Sequence, residues 1–270
     1  HGFCRTRNSC YIRPFGRNRT HKPSHRTLFN VSKFHLSSTM APIGSLWGDL
    51  AQHQTKAILS AAAIAGLELD LKPFELGVTN KSAEYLDKFA MGKIPAFESD
   101  DGFSLIEGAS IARYVASLAP ESGLLGDSVK DAAQIDQWIH FVEHEISAYT
   151  DLISQLVKGF FPEKTYFSRE KTYNEHVHKS LFERQERSLK FLERSMNTRE
   201  FLVTDKITLA DIVVAAVIQR AAGITLGAAE REFYPNIFAH YAKVAADPRI
   251  TAIFGAADFV EVALAFAKVD

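Results

Sequence analysis

The sequence predicts an α/β domain followed by an all-α domain. Three observations carry that expectation. Residues 43–122 alternate strand-like and helix-like apolar patterns in the order β-α-β-α-β-β-α. The stretch "APESGLLGD" (119–127) holds Pro and Gly and reads as a linker. Residues 128–265 then carry apolar repeats three or four apart, the spacing of helices.

In chain order, "IGSLW" (43–47) reads as a first strand. "QTKAILSAAAIAG" (54–66) reads as an Ala-rich helix stopped by Gly66 at the C′ position. In "LELDLKPFEL" (67–76), Leu67, Leu69 and Leu71 alternate with polar residues, a strand pattern. "SAEYLDKFA" (82–90) is a short helix. "IPAFE" and "FSLIE" are apolar runs joined by Ser99-Asp100-Asp101-Gly102, a strong hairpin signal. After Glu107, residues Ile111, Tyr114, Val115 and Leu118 share a helix face. Beyond the linker, Ile135, Trp138, Ile139, Val142, Ile146, Tyr149, Ile153 and Leu156 predict one long amphipathic helix. Val177, Leu181, Leu189, Leu192 and Met196 mark another. "ITLADIVVAAVIQRAAG" (207–223) is apolar nearly all round, as a buried central helix is. Tyr234-Pro235 and Asp247-Pro248 break the remainder into two final helical stretches.

Composition narrows the function classes. The hydrophobic fraction of 46% is ordinary for a globular chain of 270 residues. No apolar run reaches the roughly 18 residues of a membrane helix. The net charge of −1 is unevenly spread. Residues 1–39 hold eight Lys or Arg and no Asp or Glu, which leaves 23 basic and 32 acidic residues in the rest. That acidic balance argues against a nucleic-acid partner. Cys4 and Cys10 are the two cysteines, so from Met40 onward a disulfide framework, a Cys-based metal site and a Cys nucleophile are excluded. A reducing, cytoplasmic compartment is the default expectation. Residues 1–39 begin with His1 and are rich in Arg, Ser and Thr. They are expected to be a disordered leader outside the fold, either a translated upstream segment or an organelle address.

Four stretches bear on chemistry. Pro95 opens a central strand, where it removes a ladder donor. A cis Ile94-Pro95 bond would turn the Ile94 backbone toward an extended ligand, while a plain edge-strand proline is the bland alternative. Glu107 and Ser110 stand where a strand gives way to a helix N-terminus, whose free N–H groups favour a carboxylate. Glu107 beside them suits an ammonium group, so the pair suits a zwitterionic amino-acid end; a helix cap with a surface Glu is the alternative. Thr208-Leu209-Ala210-Asp211 is a capping box, with Ile207 and Ile212 as its staple. "HFVEH" (140–144) matches a metalloprotease pattern, but the match is short, the helix has an ordinary packing role, and no metal is expected. "EHVHK" (175–179) reads as a solvated helix face.

Together these stretches resemble the glutathione S-transferase superfamily. The likeness rests on "GKIPAFESDDGFSLIEGASIARYV" (92–115), on "EFLVTDKITLADIVVAA" about 90 residues later, and on "FYPNIFAHYAKVAADP". It spans roughly residues 43–260 and is strongest toward the transferase-like N-terminal region of translation elongation factor 1-gamma. The resemblance implies a thioredoxin-like N-terminal domain, a helical C-terminal domain and glutathione as co-substrate. It makes Ile94-Pro95 the cis peptide facing the cysteinyl backbone, and Glu107 with Gly108 the holders of the γ-glutamyl end. The family usually has Ser where this chain has Gly108, a loss for which Ser110 would compensate. The usual catalytic Ser position falls near Ala51, and no hydroxyl occurs from Leu46 through Gln54. No catalytic residue is therefore assigned; Gln52 and His53 are polar substitutes, and Asp49 would oppose a thiolate. The electrophile is expected near Trp138, Phe141 and Tyr149. A homodimer is a family expectation.

Two functions follow. One is a transferase conjugating glutathione to a small electrophile, in detoxification or secondary metabolism. The other is a non-catalytic interaction module among elongation factor subunits. Full-length gamma subunits continue past this region and the present chain stops at Asp270, so the expectation favours the enzyme.

Overall fold

The structure is a computed structural model that describes residues 41–158, 173–197 and 199–264. The expected leader, with Cys4 and Cys10, lies outside the described residues. A four-stranded sheet has the order β2-β1-β3-β4. Its strands are β1 (Ser45–Trp47), β2 (Asp70–Lys72), β3 (Ala96–Glu98) and β4 (Ser104–Ile106). β1 runs parallel to β2 and antiparallel to β3, and β3 is antiparallel to β4. Helices α1 (His53–Ile64), α2 (Ala83–Lys88) and α3 (Gly108–Ser117) complete this half. The later helices are α4 (Val129–Val142), α5 (Ala148–Val157), α6 (Glu175–Ser195), α7 (Leu209–Ala222), α8 (Ala228–Arg231), α9 (Pro235–Ala245) and α10 (Thr251–Phe254).

The Ala-rich stretch of α1 has a packing reason. This helix lies between α3 and α7. Ala57, Ala61 and Ala62 are buried there, and their short side chains let three helices approach closely. Gly66 ends α1 at φ +69, with Leu67 N–H on Ala62 O (2.9 Å) and Gly66 N–H on Ala63 O (3.3 Å), the Schellman pattern. Helix α7 is buried along its length apart from half-buried Arg220, which pairs with Asp151 (Nε–Oδ1 3.0 Å). It packs against α1, α4 and α9, so its all-round apolar pattern marks the centre of the fold. Lys56 of α1 reaches both Gln219 Oε1 and Phe254 O at 2.8 Å, tying α1 to α7 and α10.

Three expectations are corrected. Of residues 67–76 only Asp70–Lys72 pairs as strand, because Pro73 has no N–H to continue the ladder. The expected single long helix is two helices, α4 and α5, joined by a π-helical turn at Glu143–Ser147. The last helical stretch is four residues long, and an irregular segment follows it. There Val260 N–H and Leu264 N–H bond to Ala222 O (3.0 Å) and Ile224 O (2.7 Å) past the end of α7.

Candidate functional site

Strand register gathers the site. Trp47, the last residue of β1, pairs with Ala96, the first of β3, and Ala96 pairs with Ile106, the last of β4. One sheet edge therefore carries the loop from β1 into α1, the residues before β3, and the step from β4 into α3. The Ile94-Pro95 bond is cis. Ile94 stands outside the ladder, which begins at Ala96. The loop before it is anchored from behind. Buried Asn80 donates to Gly92 O (2.8 Å), and the Tyr85 hydroxyl donates to Lys93 O (2.6 Å). Burial pushes the Tyr85 phenol up to about 12, so it stays a donor. Tyr85, Phe89 and Ala96 form a small core with Trp47 and Ile94 packed on it.

Glu107 follows β4 and has φ 71 and ψ 116, the one positive φ outside glycine among the described residues. Such a backbone costs about 1–3 kcal/mol and clusters at ligand clamps. Its side chain is exposed and caps nothing. The first α3 hydrogen bond is Ile111 N–H to Glu107 O, so the N–H groups of Gly108, Ala109 and Ser110 lack internal acceptors among the described residues. The five sequence-predicted residues thus fall on two adjoining segments of one edge. Ser110 lies exposed on the first turn of α3, with no hydrogen-bond partner for its hydroxyl among the described residues.

Other residues were missed in the sequence or cast in a different role. Glu143, the fourth residue of "HFVEH", opens the π-helical turn and is half-buried. Burial pushes its carboxyl above the ordinary range; His140 and His144 oppose the rise and the charge of Glu107 adds to it. The signal in "HFVEH" is therefore an acidic group within electrostatic reach of Glu107. The Nδ1–H of His144 donates to His140 O (2.8 Å), and among the described residues no group of three His, Cys, Asp or Glu is placed to hold a metal ion. Asp49 accepts from Ala51 N–H (2.9 Å), so its carboxylate is engaged in its own turn. Thr55, one residue past the hydroxyl-free stretch, is buried, and its Oγ1 bonds to Gln52 Oε1 at 3.4 Å. The N–H groups of His53, Gln54 and Thr55 at the start of α1 have no internal acceptors among the described residues, and no side chain caps them. Trp138 and Phe141 pack on Phe191 of α6. Two cavities, of about 120 and 150 Å³, lie among residues 158–264, away from this edge.

His53 is buried with its Nε2 3.2 Å from Ser147 Oγ, while its Nδ1 has no partner. Burial first, and then the charge of Arg220, pushes it down to about 3. Above the unfolded value near 6.5 both states are neutral; between 6.5 and about 3 only the unfolded state takes the proton. Stability therefore falls as pH falls through that window, by about 1.4 kcal/mol per unit. Urea unfolding should show a loss of roughly 2 kcal/mol between pH 6.5 and 4.5 that His53→Gln removes. Equal acid sensitivity in that variant would refute the assignment.

Comparison with known proteins agrees with this fold. The family description "Glutathione S-transferase, N-terminal domain" matches residues 43–117, and "Glutathione S-transferase, C-terminal domain" matches residues 149–248. The chain is 39% identical over 207 residues to the glutathione S-transferase-like protein FUS3 of Gibberella fujikuroi, covering 76% of this chain and 93% of that protein. It is 32% identical over 182 residues to elongation factor 1-gamma of Rattus norvegicus, covering 67% of this chain and 38% of that one. Among solved structures, the transferase-like domain of elongation factor 1-gamma from Saccharomyces cerevisiae superposes with a TM-score of 0.69 at 21% identity, covering 84% of this chain and all of that one. A thioredoxin-like half with a four-stranded mixed sheet, a helical remainder and two matching domain descriptions give one assignment: the chain belongs to the glutathione S-transferase family.

Proposed function

We propose that this protein is a cytoplasmic, homodimeric transferase that joins glutathione to a small electrophile. The observation that carries this reading is the convergence of cis Ile94-Pro95, strained Glu107 and the free N–H groups of α3 on one sheet edge. Ile94 offers its backbone to the cysteinyl unit by strand addition. The helix N-terminus takes the γ-glutamyl carboxylate, and Glu107 takes the ammonium, with the charge of Glu143 reinforcing it. No hydroxyl stands where the thiol would lie, so activation falls to the N-terminus of α1. Its free N–H groups and partial positive charge lower a thiol that otherwise titrates near ~8.5. The thiol proton passes to water, and the sulfur lone pair forms the C–S bond at the electrophilic carbon; with an aryl halide, the carbon–halogen bonding pair leaves on the halide ion.

Calorimetric titration of glutathione into the full chain tests the reading. Saturable binding at millimolar ligand is expected, followed by conjugation of an activated aryl halide with a pH–rate midpoint below ~8.5. Absence of binding would overturn the enzyme reading. The likeness to elongation factor 1-gamma favours the second reading, an interaction module, and capture of elongation factor subunits by the non-binding protein would support it.

A further inference from the structure

Gly108 is explained by space. No positive φ requires glycine there. A Cβ at this position would lie 2.5 Å from Gln54 Cβ and 2.7 Å from Gln54 Cγ, with Pro95 Cγ at 3.5 Å. The first of these contacts is with the stem of a helical residue, which cannot swing aside as a chain end would. Gln54, the second residue of α1, thus occupies the volume that a side chain at 108 would fill. It stands at the meeting point of the three segments of the sheet edge. Gln54 is half-buried, and its amide has no hydrogen-bond partner among the described residues. A half-buried amide held by its stem and left unpaired at its tip is suited to a ligand.

We propose that Gln54 is a glutathione-binding residue, its amide N–H bonding the γ-glutamyl carboxylate beside the Gly108 and Ala109 N–H groups. This rests on the glutathione reading above. It makes positions 54 and 108 a matched pair in which one residue supplies both the volume and the polar group. A side chain at 108 and Gln54 at 54 exclude each other; glycine at 54 with Ser at 108 is the mirror solution.

The test uses four variants of the full chain, with glutathione and an analogue lacking the γ-glutamyl α-carboxylate as probes. Gln54→Leu keeps the stem and removes the amide. It should weaken glutathione binding roughly tenfold at unchanged melting temperature, and should not weaken binding of the analogue. Gly108→Ser alone should lower both melting temperature and affinity. Gln54→Gly should bind weakly, and the double variant Gln54→Gly/Gly108→Ser, which removes the Cβ that a side chain at 108 would meet, should recover affinity to within a few-fold of wild type. Wild-type binding that Gln54→Leu leaves intact would overturn this proposal and spare the glutathione reading. Equal loss with both probes would also overturn it, because the carboxylate would not be the contact. Absence of wild-type binding would overturn both.

Discussion

Glu107→Ala is expected to weaken glutathione binding roughly tenfold to hundredfold, the range for removing a hydrogen bond to a charged group. Its melting temperature should stay within about 2 °C of wild type, since the lost side chain is exposed and caps nothing. Alanine leaves the backbone at φ 71 as strained as before, so this variant isolates the carboxylate. Glu107→Gly separates the other half of the problem. Glycine tolerates positive φ, and relief of about 1–3 kcal/mol of strain exceeds its entropic cost of roughly 0.5–1 kcal/mol. That variant should unfold at higher denaturant while binding no better than Glu107→Ala. A residue whose replacement by glycine stabilises the fold and weakens binding is kept for the ligand. If Glu107→Ala binds as wild type, the carboxylate is no part of the site. If Glu107→Gly is less stable than wild type, the strained backbone serves the fold.

The features legible in the sequence are those written into neighbouring residues. The Asp-Gly turn is closed by Gly102 N–H on Ser99 O (3.0 Å), and Ser99 is hydrogen-bonded to Asp101. The stop at Gly66, the capping box at Thr208 and the step from β4 to α3 at Glu107 are equally local. Tertiary approach is not local. Nothing in "HQTK" says that Gln54 lies against Gly108, 54 positions away, because that contact exists only once α1 and α3 pack side by side. Nor does apolar spacing of three or four reveal the π-helical turn, which widens one turn without breaking the rhythm. That turn opens with Glu143, so the irregularity lies within "HFVEH", where apolar spacing alone reads as regular helix. His53, by sequence a polar candidate beside the thiol, begins α1 on the face turned toward Ser147.

Asp211→Ala is the substitution expected to cost the fold most, about 3–5 kcal/mol. The Asp211 side chain is wholly buried. Its Oδ1 accepts from Leu202 N–H (2.9 Å) and is bonded to His240 Nε2 (2.8 Å). Its Oδ2 accepts from Thr208 N–H (2.8 Å) and the Thr208 hydroxyl (2.7 Å). One carboxylate thus closes the capping box of α7, fixes the chain entering that helix, and ties α7 to α9. Alanine would leave those donors buried without acceptors, and each such group costs about 1–3 kcal/mol. Thr208→Ala removes one donor together with its need, and the carboxylate keeps its other partners. That variant should cost about 1–2 kcal/mol. Against a typical total of about 5–15 kcal/mol, the Asp211 loss consumes a large share of the stability. Because α7 packs on α1, the damage should reach the sheet edge that carries Glu107. Guanidinium unfolding followed by tryptophan fluorescence reads both halves, through Trp47 and Trp138. The expected curve for Asp211→Ala has a much lower midpoint and a single transition. A midpoint close to that of Thr208→Ala would mean that water or rearranged neighbours satisfy the orphaned donors, and that the carboxylate is a helix cap and nothing more.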